Sequence, residues 1–243
     1  MVEKYLKNVL VASKKIFTLI QNGLDESYFD VIKVGAGGDK STKIDLVSEE
    51  IYIKYLKSFG QIISEESGII GEGEEKIILD PIDGSDNLIS GFPYYGSSIA
   101  IKKDNLTIFS FIANFANGDF FVKSDDFYKK GNLYFEDFNL KDIEIKEYKG
   151  RIGLFEKAYA NPKIVKALKD NYIKFRSPGA VALSLSYAHN VRFVLFAGKI
   201  REYDIAAGLH QCVDLNLYYN DKYILVSKSK ELFDKIRKDV LKD

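Results

Sequence analysis

Tryptophan is absent from this chain, and cysteine and methionine occur once each among its 243 residues. The single cysteine, Cys212, excludes an internal disulfide, so the sequence favours a reducing, cytoplasmic compartment. Basic and acidic residues balance at 35 each, which argues against a nucleic-acid binder that works by bulk positive charge. No apolar run approaches the roughly 20 residues that span a bilayer, and lysines interrupt the first helix-like segment too often for a signal sequence. We therefore expect a globular protein without a nucleic-acid or membrane partner.

Apolar spacing predicts two helices at the start of the chain. Val2, Tyr5, Leu6, Val9, Ile16 and Ile20 recur at helical spacing, which predicts a helix that ends near residues 22–23. Ser48 is expected to cap a second helix. Between them, VGAGGDKSTK at residues 34–43 contains three glycines, and we expect a mobile, cationic loop there.

Strand patterns follow the second helix: consecutive strands in the first half of the chain, and strands alternating with helices in the second half. QIIS, KIILD, GSSIAIKK, LTIFSFIANF and DFFVKS read as strands, with Asn117-Gly118 as a hairpin turn between the last two. After residue 149, strand and helix patterns alternate, which predicts a layered α/β unit. The prediction is therefore an N-terminal α+β half with a largely antiparallel sheet, residues 1–145, and a C-terminal α/β half, residues 146–243.

Four acidic residues stand at the ends of apolar runs: Glu65, Asp80, Asp83 and Asp204. Taken alone, each such acid is more often a helix cap or a solvated turn residue. Together they are well placed to converge on hard cations, which prefer oxygen ligands. The stretch DPIDGS at 80–85 adds a rigid proline and a glycine that permits close backbone approach. A helix that begins there would direct the amides of Gly84 and Ser85 at a phosphate group.

Two other interpretations of this stretch fail on spacing. An EF-hand loop places oxygen ligands at alternating positions, and Pro81, Ile82 and Gly84 interrupt that register. The haloacid dehalogenase pattern separates its two aspartates by one residue, whereas two residues separate Asp80 from Asp83.

Four motifs in order carry a family resemblance: KIDLVS (43–48), SEES (64–67), DPIDGSDN (80–87) and EYDIAAG (202–208). With them the chain resembles the inositol monophosphatase family, within the lithium-sensitive, magnesium-dependent phosphatase superfamily that also contains fructose-1,6-bisphosphatases. GFPYYGSSIAI and RSPGAVALSLSYA match its less specific segments. The resemblance implies a layered α-β-α-β-α sugar-phosphatase fold, a homodimer, and Mg²⁺-dependent hydrolysis of a small phosphorylated sugar or polyol by an activated water.

The resemblance also implies roles for individual residues, with two to three Mg²⁺ ions per site. Glu65, Asp80 and the Ile82 carbonyl would hold the first ion. Asp80, Asp83 and Asp204 would hold a second, and Glu65 would help to hold a third. Asp45, hydrogen-bonded to Ser85, would position the attacking water, which makes Asp45, Glu65 and Ser85 the catalytic candidates. Gly84 and Ser85 would bind phosphate through their amides, and Glu66 would support the ligands from outside.

One departure from the family pattern concerns the substrate. Ala197 stands where inositol-selective members carry a glutamate, which argues against strict inositol selectivity. Lys199 and Arg201 lie close to Asp204 and are candidates for binding a second phosphate, as is Arg176, although Lys199 and Arg201 are as readily solvated loop residues. Inositol 1-phosphate and fructose 1,6-bisphosphate are thus the leading substrates.

Two further functions stay open at this stage. One is a nucleotidase of the same superfamily acting on 3′(2′),5′-bisphosphates, which would need a pocket to stack adenine. The other is a catalytically inactive regulator that only binds a phosphorylated ligand. Cys212, His189 and His210 are expected to have structural roles, because this chemistry needs no covalent intermediate.

Overall fold

The computed structural model describes residues 2–143 and 150–242, in which helices and sheets alternate in five layers. Three pairs of helices enclose two β-sheets, and a short helix, α3 (Ser85–Ile89), lies at the edge of the first sheet. The six layer helices are α1 (Val2–Gln21), α2 (Lys43–Leu56), α4 (Pro162–Asp170), α5 (Val181–Ser186), α6 (Glu202–Gln211) and α7 (Lys230–Lys235). This arrangement confirms the predicted α-β-α-β-α layering.

The first sheet has eight strands and is largely antiparallel, as the sequence predicts. In spatial order its strands are β10 (Lys141–Asp142), β9 (Tyr128–Asn132), β8 (Asp119–Ser124), β7 (Leu106–Asn114), β6 (Gly96–Lys103), β5 (Lys76–Asp83), β3 (Gln61–Ser64) and β4 (Gly68–Ile70). Only β3 and β5 pair in parallel. Gly118, with a φ of 76°, makes the predicted turn between β7 and β8.

The second sheet has five strands, three of them parallel, as expected for the α/β half. Its spatial order is β12 (Phe175–Arg176), β11 (Gly153–Glu156), β13 (Val194–Ala197), β15 (Tyr223–Ser227) and β14 (Asn216–Tyr219). Helices α5 and α6 fill the space between the two sheets, while α4 and α7 cover the opposite face. A π-helical segment, Ile236–Leu241, continues α7.

Two sequence predictions about the N-terminal half need correction. The loop expected at residues 34–43 is confined to residues 35–39, which connect β1 (Val31–Val34) with β2 (Lys40–Thr42) in a two-stranded hairpin. Helix α2 begins at Lys43 and has Thr42 as its N-cap, so Ser48 lies buried inside the helix. The signal for the earlier start is local, because Asp45, three residues after Thr42, completes a capping box.

The predicted boundary between residues 145 and 146 falls outside the described residues and stays a prediction. Within the described ranges, no helix is both long and apolar enough to cross a membrane.

A buried hydroxyl network joins the outer helices to the first sheet. The Tyr52 hydroxyl lies 2.8 Å from the Ser13 hydroxyl of α1 and 2.6 Å from the Ser97 hydroxyl of β6. The Tyr52 side chain is fully buried, so water cannot replace these partners.

Replacing Tyr52 by phenylalanine should therefore destabilise the protein by about 1–3 kcal/mol, because two buried serine hydroxyls lose a partner while the ring is kept. Urea unfolding measures this difference. Tyr55→Phe on the same helix is the matched control, since the Tyr55 hydroxyl forms no hydrogen bond with any described residue. Equal stabilities for the two variants would contradict the role of the network.

Candidate active site

Parallel pairing brings the first two acids together at one edge of the sheet. Ser64 is the last residue of β3 and pairs with Leu79 of β5. Glu65 and Asp80 follow directly, and the Glu65 amide donates to the Leu79 carbonyl at 3.0 Å. The carboxyl ends of parallel neighbours lie at the same edge of a sheet, so both carboxylates emerge there. Their proximity is a consequence of strand direction.

A bulge in β5 brings Asp83 to the same face as Asp80. Side chains alternate along a strand, so residues three apart point to opposite faces. In the pairing with β6, Asp80 faces Ser98 and Asp83 faces Gly96, which leaves one extra residue on β5. That extra residue reverses the alternation. Pro81 fits this interval because it has no N–H to give to the sheet ladder.

Asp204 reaches the site from the other half of the chain. It lies in the first turn of α6, where the helix dipole favours a negative charge. One carboxylate oxygen each from Glu65, Asp80 and Asp204 can be chosen so that all three lie within 4.8 Å of one another. Asp83 borders the same cleft, which has a volume of about 580 Å³. Its Oδ2 accepts a hydrogen bond from the Leu183 amide at 3.1 Å.

Asp80, Asp83 and Glu65 are buried together, and burial raises the pKa of each of these three carboxyl groups. Burial, followed by repulsion from Glu65, Asp83 and Asp204, raises the pKa of Asp80 well above its ordinary value. Burial likewise raises the pKa of Asp83, although the Leu183 amide opposes the shift. Burial raises the pKa of Glu65 to about 7 despite the attraction of Arg201. Such a cluster favours the binding of positive charge.

Arg201 supplies positive charge inside the cluster. Its Nε and Nη2 donate to the two oxygens of Asp204, at 2.8 and 2.9 Å. Its Nη1 lies 2.8 Å from the Glu65 Oε1 and 2.5 Å from the Asp39 Oδ2. The guanidinium also lies over the Tyr203 ring, 5.4 Å from its centroid. Arg201 therefore contacts the acids themselves, where the sequence suggested contact with a substrate phosphate.

The Gly84 turn, which the sequence predicts to bind phosphate, has the predicted backbone form. Gly84 adopts a φ of 85° and precedes α3, which begins at Ser85. A Cβ at Gly84 would lie 3.0 Å from the Tyr94 carbonyl and 3.1 Å from the Ala180 Cβ, so glycine suits both the conformation and the space. Asn87 joins this turn to the second half by donating to the Tyr94 and Pro178 carbonyls.

The expected hydrogen bond between Asp45 and Ser85 is not formed. The Asp45 Oδ2 instead accepts from the amide and the hydroxyl of Thr42, both at 2.7 Å, because Asp45 belongs to the capping box of α2. Its Oδ1 is buried and has no partner among the described residues. Burial raises the pKa of Asp45, with Thr42 opposing the shift.

The β1–β2 hairpin docks on the acidic segment. The amides of Ala36 and Gly37 donate to the carbonyls of Glu66 and Glu65. A Cβ at Gly37 would lie 2.8 Å from the Glu65 Cγ, so a larger residue would force the Glu65 side chain to shift. The Ser41 hydroxyl donates to Glu66, whose pKa is raised to about 7, chiefly by burial. Glu66 thus both lines the cleft and contacts the hairpin.

The remaining predicted substrate residues lie apart from the acids. Arg176 ends β12, is exposed, and lines a neighbouring cavity of about 540 Å³ instead of the acidic cleft. Lys199 is exposed and forms no ion pair with any described residue. Ala197 is buried at the end of β13. Lys33 and Lys40 of the hairpin are exposed, and Lys40 borders the cleft.

Sequence reasoning did not single out Glu156 or Asp39. Glu156 ends β11, is 1% exposed, and accepts a hydrogen bond from the Gly179 amide at 2.9 Å and another from the Ser184 hydroxyl. It therefore holds the chain that leads into α5 at the border of the cleft. The sequence does contain a signal for Glu156, because it ends RIGLFE, where an acid again follows an apolar run.

Cys212 and the two histidines lie away from the acids. Cys212 is buried directly after α6, where burial raises the pKa of its thiol. The His210 Nδ1 lies 2.8 Å from the Ser110 hydroxyl. His189 lies in the turn after α5.

Comparison with known proteins gives relatives over nearly the whole chain. A fructose-1,6-bisphosphatase/inositol-1-monophosphatase of Methanocaldococcus jannaschii is 29% identical over 233 residues, which cover 86% of this chain and 88% of that protein. A bifunctional NADP phosphatase/NAD kinase of the same organism is 32% identical over 193 residues, 65% of this chain but only 33% of that protein. An inositol monophosphatase structure from Thermotoga maritima superposes with a TM-score of 0.77 at 21% identity, covering 98% and 97% of the two chains. At that identity the superposition shows the fold.

The sequence model of the inositol monophosphatase family matches residues 4–210, a span that contains all four acids of the cleft and the Gly84 turn. The chain belongs to the inositol monophosphatase family.

Proposed function

We propose that this protein is a Mg²⁺-dependent phosphomonoesterase that hydrolyses small sugar or polyol phosphates. The observation that carries the proposal is the convergence of Glu65, Asp80 and Asp204 beside the Gly84 turn. Buried carboxylates of this kind are costly without a cation, and a phosphate-binding turn beside them suits an anionic substrate. The Methanocaldococcus jannaschii relative that is matched over 86% of this chain is a fructose-1,6-bisphosphatase/inositol-1-monophosphatase.

The side chains present fit magnesium. All the charged donors are carboxylates, the ligands that this hard cation prefers. The buried, unpartnered Oδ1 of Asp45 is a further oxygen that lacks a donor among the described residues. Glu65, Asp80 and the Ile82 carbonyl would hold one ion, and Asp80, Asp83 and Asp204 a second. A third ion would draw on Glu65, as the family resemblance implies.

Bound Mg²⁺ would neutralise phosphate charge and lower the pKa of a coordinated water. The protein's own groups then position the reaction. Asp45 would accept a proton or a hydrogen bond from a water molecule through its free Oδ1. The amides of Gly84 and Ser85 would hold phosphate oxygens. The rigid ends of β3 and β5 would keep the carboxylates in place through turnover.

The alcohol half of the substrate would be recognised at the border with the second half of the chain. Ala197 is buried and offers no polar side-chain group to an inositol hydroxyl. We therefore propose a broad preference, with inositol 1-phosphate and fructose 1,6-bisphosphate both accepted. The homodimer and the cytoplasmic location that the sequence favours stay predictions.

A neighbouring cavity favours a second candidate, a phosphorylated nucleotide. It shares Ser177 and Pro178 with the acidic cleft and is lined by the aromatic rings of Phe92, Tyr94 and Tyr187. Aromatic rings are suitable partners for a base. The NADP phosphatase/NAD kinase relative makes NADP the natural test compound.

Phosphate release should depend on Mg²⁺, and EDTA should abolish it. Asp83→Asn should lower kcat/KM by at least about a hundredfold, because the substitution removes a charged ligand while keeping the side-chain volume. Malachite-green detection of phosphate from inositol 1-phosphate measures this. Asp214→Asn is the matched control, since Asp214 pairs with Lys123 at 3.5 Å outside the cleft. Full activity in Asp83→Asn, or in EDTA, would overturn the proposed function.

The two substrate classes are separated by a panel of inositol 1-phosphate, fructose 1,6-bisphosphate, adenosine 3′,5′-bisphosphate and NADP. We expect the sugar and polyol phosphates to give the higher kcat/KM, and Phe92→Ala to leave that order unchanged. Phe135→Ala is the control, because Phe92 and Phe135 are similarly exposed, at 50% and 51%. If the protein instead hydrolyses NADP faster than the sugar and polyol phosphates, and Phe92→Ala lowers kcat/KM for NADP alone, a nucleotide is the favoured substrate.

The stability of the protein in EDTA should fall as pH rises from about 4.5 to 7. In this window Glu65 and Glu66, whose pKa values are both raised to about 7, hold protons in the folded state that the unfolded state has lost. The folded state therefore binds more protons, and its relative stability declines as they leave. Excess Mg²⁺ should reverse the slope, because the ion binds the ionised carboxylates. Urea unfolding at pH 5.5 and 7.5 measures both slopes, and Glu65→Gln should flatten the EDTA slope.

A further inference from the structure

Arg201 contacts the oxygen atoms that the proposed metal ions would use. Two of its nitrogens donate to the two oxygens of Asp204, and a third lies 2.8 Å from the Glu65 Oε1. Asp204 and Glu65 are both members of the three-acid cluster. The same side chain therefore reaches two of the three acids.

A guanidinium and a divalent cation cannot share these oxygens without cost. Each carboxylate oxygen that accepts from Arg201 presents less free lone-pair density to an ion. The two positive charges would also lie only a few ångströms apart in a partly buried cleft, where screening is weak. Binding of an ion between Glu65 and Asp204 must then weaken the Arg201 contacts or move the guanidinium.

Two contacts outside the three-acid cluster can hold the Arg201 guanidinium after a metal ion displaces it from Glu65 and Asp204. The Arg201 Nη1 lies 2.5 Å from the Oδ2 of Asp39, an exposed residue of the β1–β2 hairpin. The Tyr203 ring is a second contact on the same side. Neither Asp39 nor Tyr203 belongs to the three-acid cluster.

We propose that Arg201 is a built-in competitor of the metal ions: its guanidinium neutralises Glu65 and Asp204, and a divalent cation binds there only by displacing it. Arg201 thereby lowers the affinity of the site for Mg²⁺ and stabilises the acids when metal is scarce. It is a residue that tunes the metal site, without a contact to the reacting phosphate. The inference rests on the metal site of the proposed function.

The test is Mg²⁺ binding measured by isothermal titration calorimetry on the full chain, without substrate. Arg201→Gln should bind Mg²⁺ roughly tenfold more tightly than the wild type, or better, because the competing charge is gone. In EDTA the same variant should have a lower Tm than the wild type, and Mg²⁺ should raise its Tm by more. Unchanged or weaker Mg²⁺ binding in Arg201→Gln would overturn the proposal.

Two further variants keep the test decisive. Lys199→Gln removes the same charge two residues away without removing an ion pair, so its Mg²⁺ affinity should stay within about twofold of the wild type. An equal increase of Mg²⁺ affinity in Lys199→Gln and Arg201→Gln would show a general charge effect and overturn the proposal. Arg201→Lys keeps the charge but loses the two-pronged contact, and should bind Mg²⁺ with intermediate affinity. If Arg201→Gln does not fold in EDTA, an Arg201→Lys affinity equal to that of the wild type overturns the proposal.

Failure of this inference is distinguishable from failure of the proposed function. A wild-type protein that binds no Mg²⁺ at all removes the basis of both. A wild-type protein that binds Mg²⁺ and hydrolyses phosphate esters, with no tightening in Arg201→Gln, contradicts the competition alone.

Discussion

Mutual repulsion among buried carboxylates is the constraint on which this structure depends. Asp80 is 2% exposed, Asp204 is 4% exposed, and Glu65 and Asp83 are little more accessible. Placing several acids together in a region of low dielectric is unfavourable unless positive charge is supplied. The fold holds them there nonetheless by three backbone features: the parallel pair β3 and β5, the bulge at Pro81, and the first turn of α6. The rest of the sheet keeps these features in place.

The site is complete only when the two halves of the chain meet. The first half contributes Glu65, Asp80 and Asp83 on one sheet edge, and the second contributes Asp204 on a helix that packs between the sheets. Glu156 strengthens this junction, because it binds the Gly179 amide and the Ser184 hydroxyl at the border of the cleft. The positions of the four acids relative to one another therefore depend on how the two halves pack. A substitution that loosens the packing of the middle helix layer would also shift Asp204 relative to the other acids.

The sequence predicts those parts of the site that short local patterns determine. Acids after apolar runs marked the ends of β3 and β5, and the Asn117-Gly118 pair marked its hairpin. The Asp45 carboxylate was expected at Ser85, although its Thr42 capping box, three residues away, satisfies one of its oxygens and is a local pattern that the sequence contains. Long-range partners carry no such local pattern. Arg201 was read as a substrate cation because sequence shows its distance from Asp204 along the chain, but not the direction of its side chain.

The β1–β2 hairpin shows why glycine-rich segments are hard to interpret from sequence. Its three glycines indicated a loop, and residues 35–39 do lie between the two strands, outside regular structure. Gly37 also allows close packing, because a Cβ there would lie 2.8 Å from the Glu65 Cγ. The backbone bonds of residues 36 and 37 to Glu66 and Glu65 then fix the hairpin on the acidic segment. A residue that appears to loosen the chain locally thus allows a tertiary contact that orders it.

In the proposed function, metal chemistry and substrate choice would be carried by different parts of this molecule. The acids lie at strand ends and on a helix, positions that backbone hydrogen bonds make rigid. Residues of the neighbouring cavity, such as Phe92 and Ser177, lie outside helices and strands. Substitutions there can change the substrate without disturbing the carboxylates. A fold of this kind can retain one hydrolytic reaction while its members accept inositol, fructose or nucleotide phosphates.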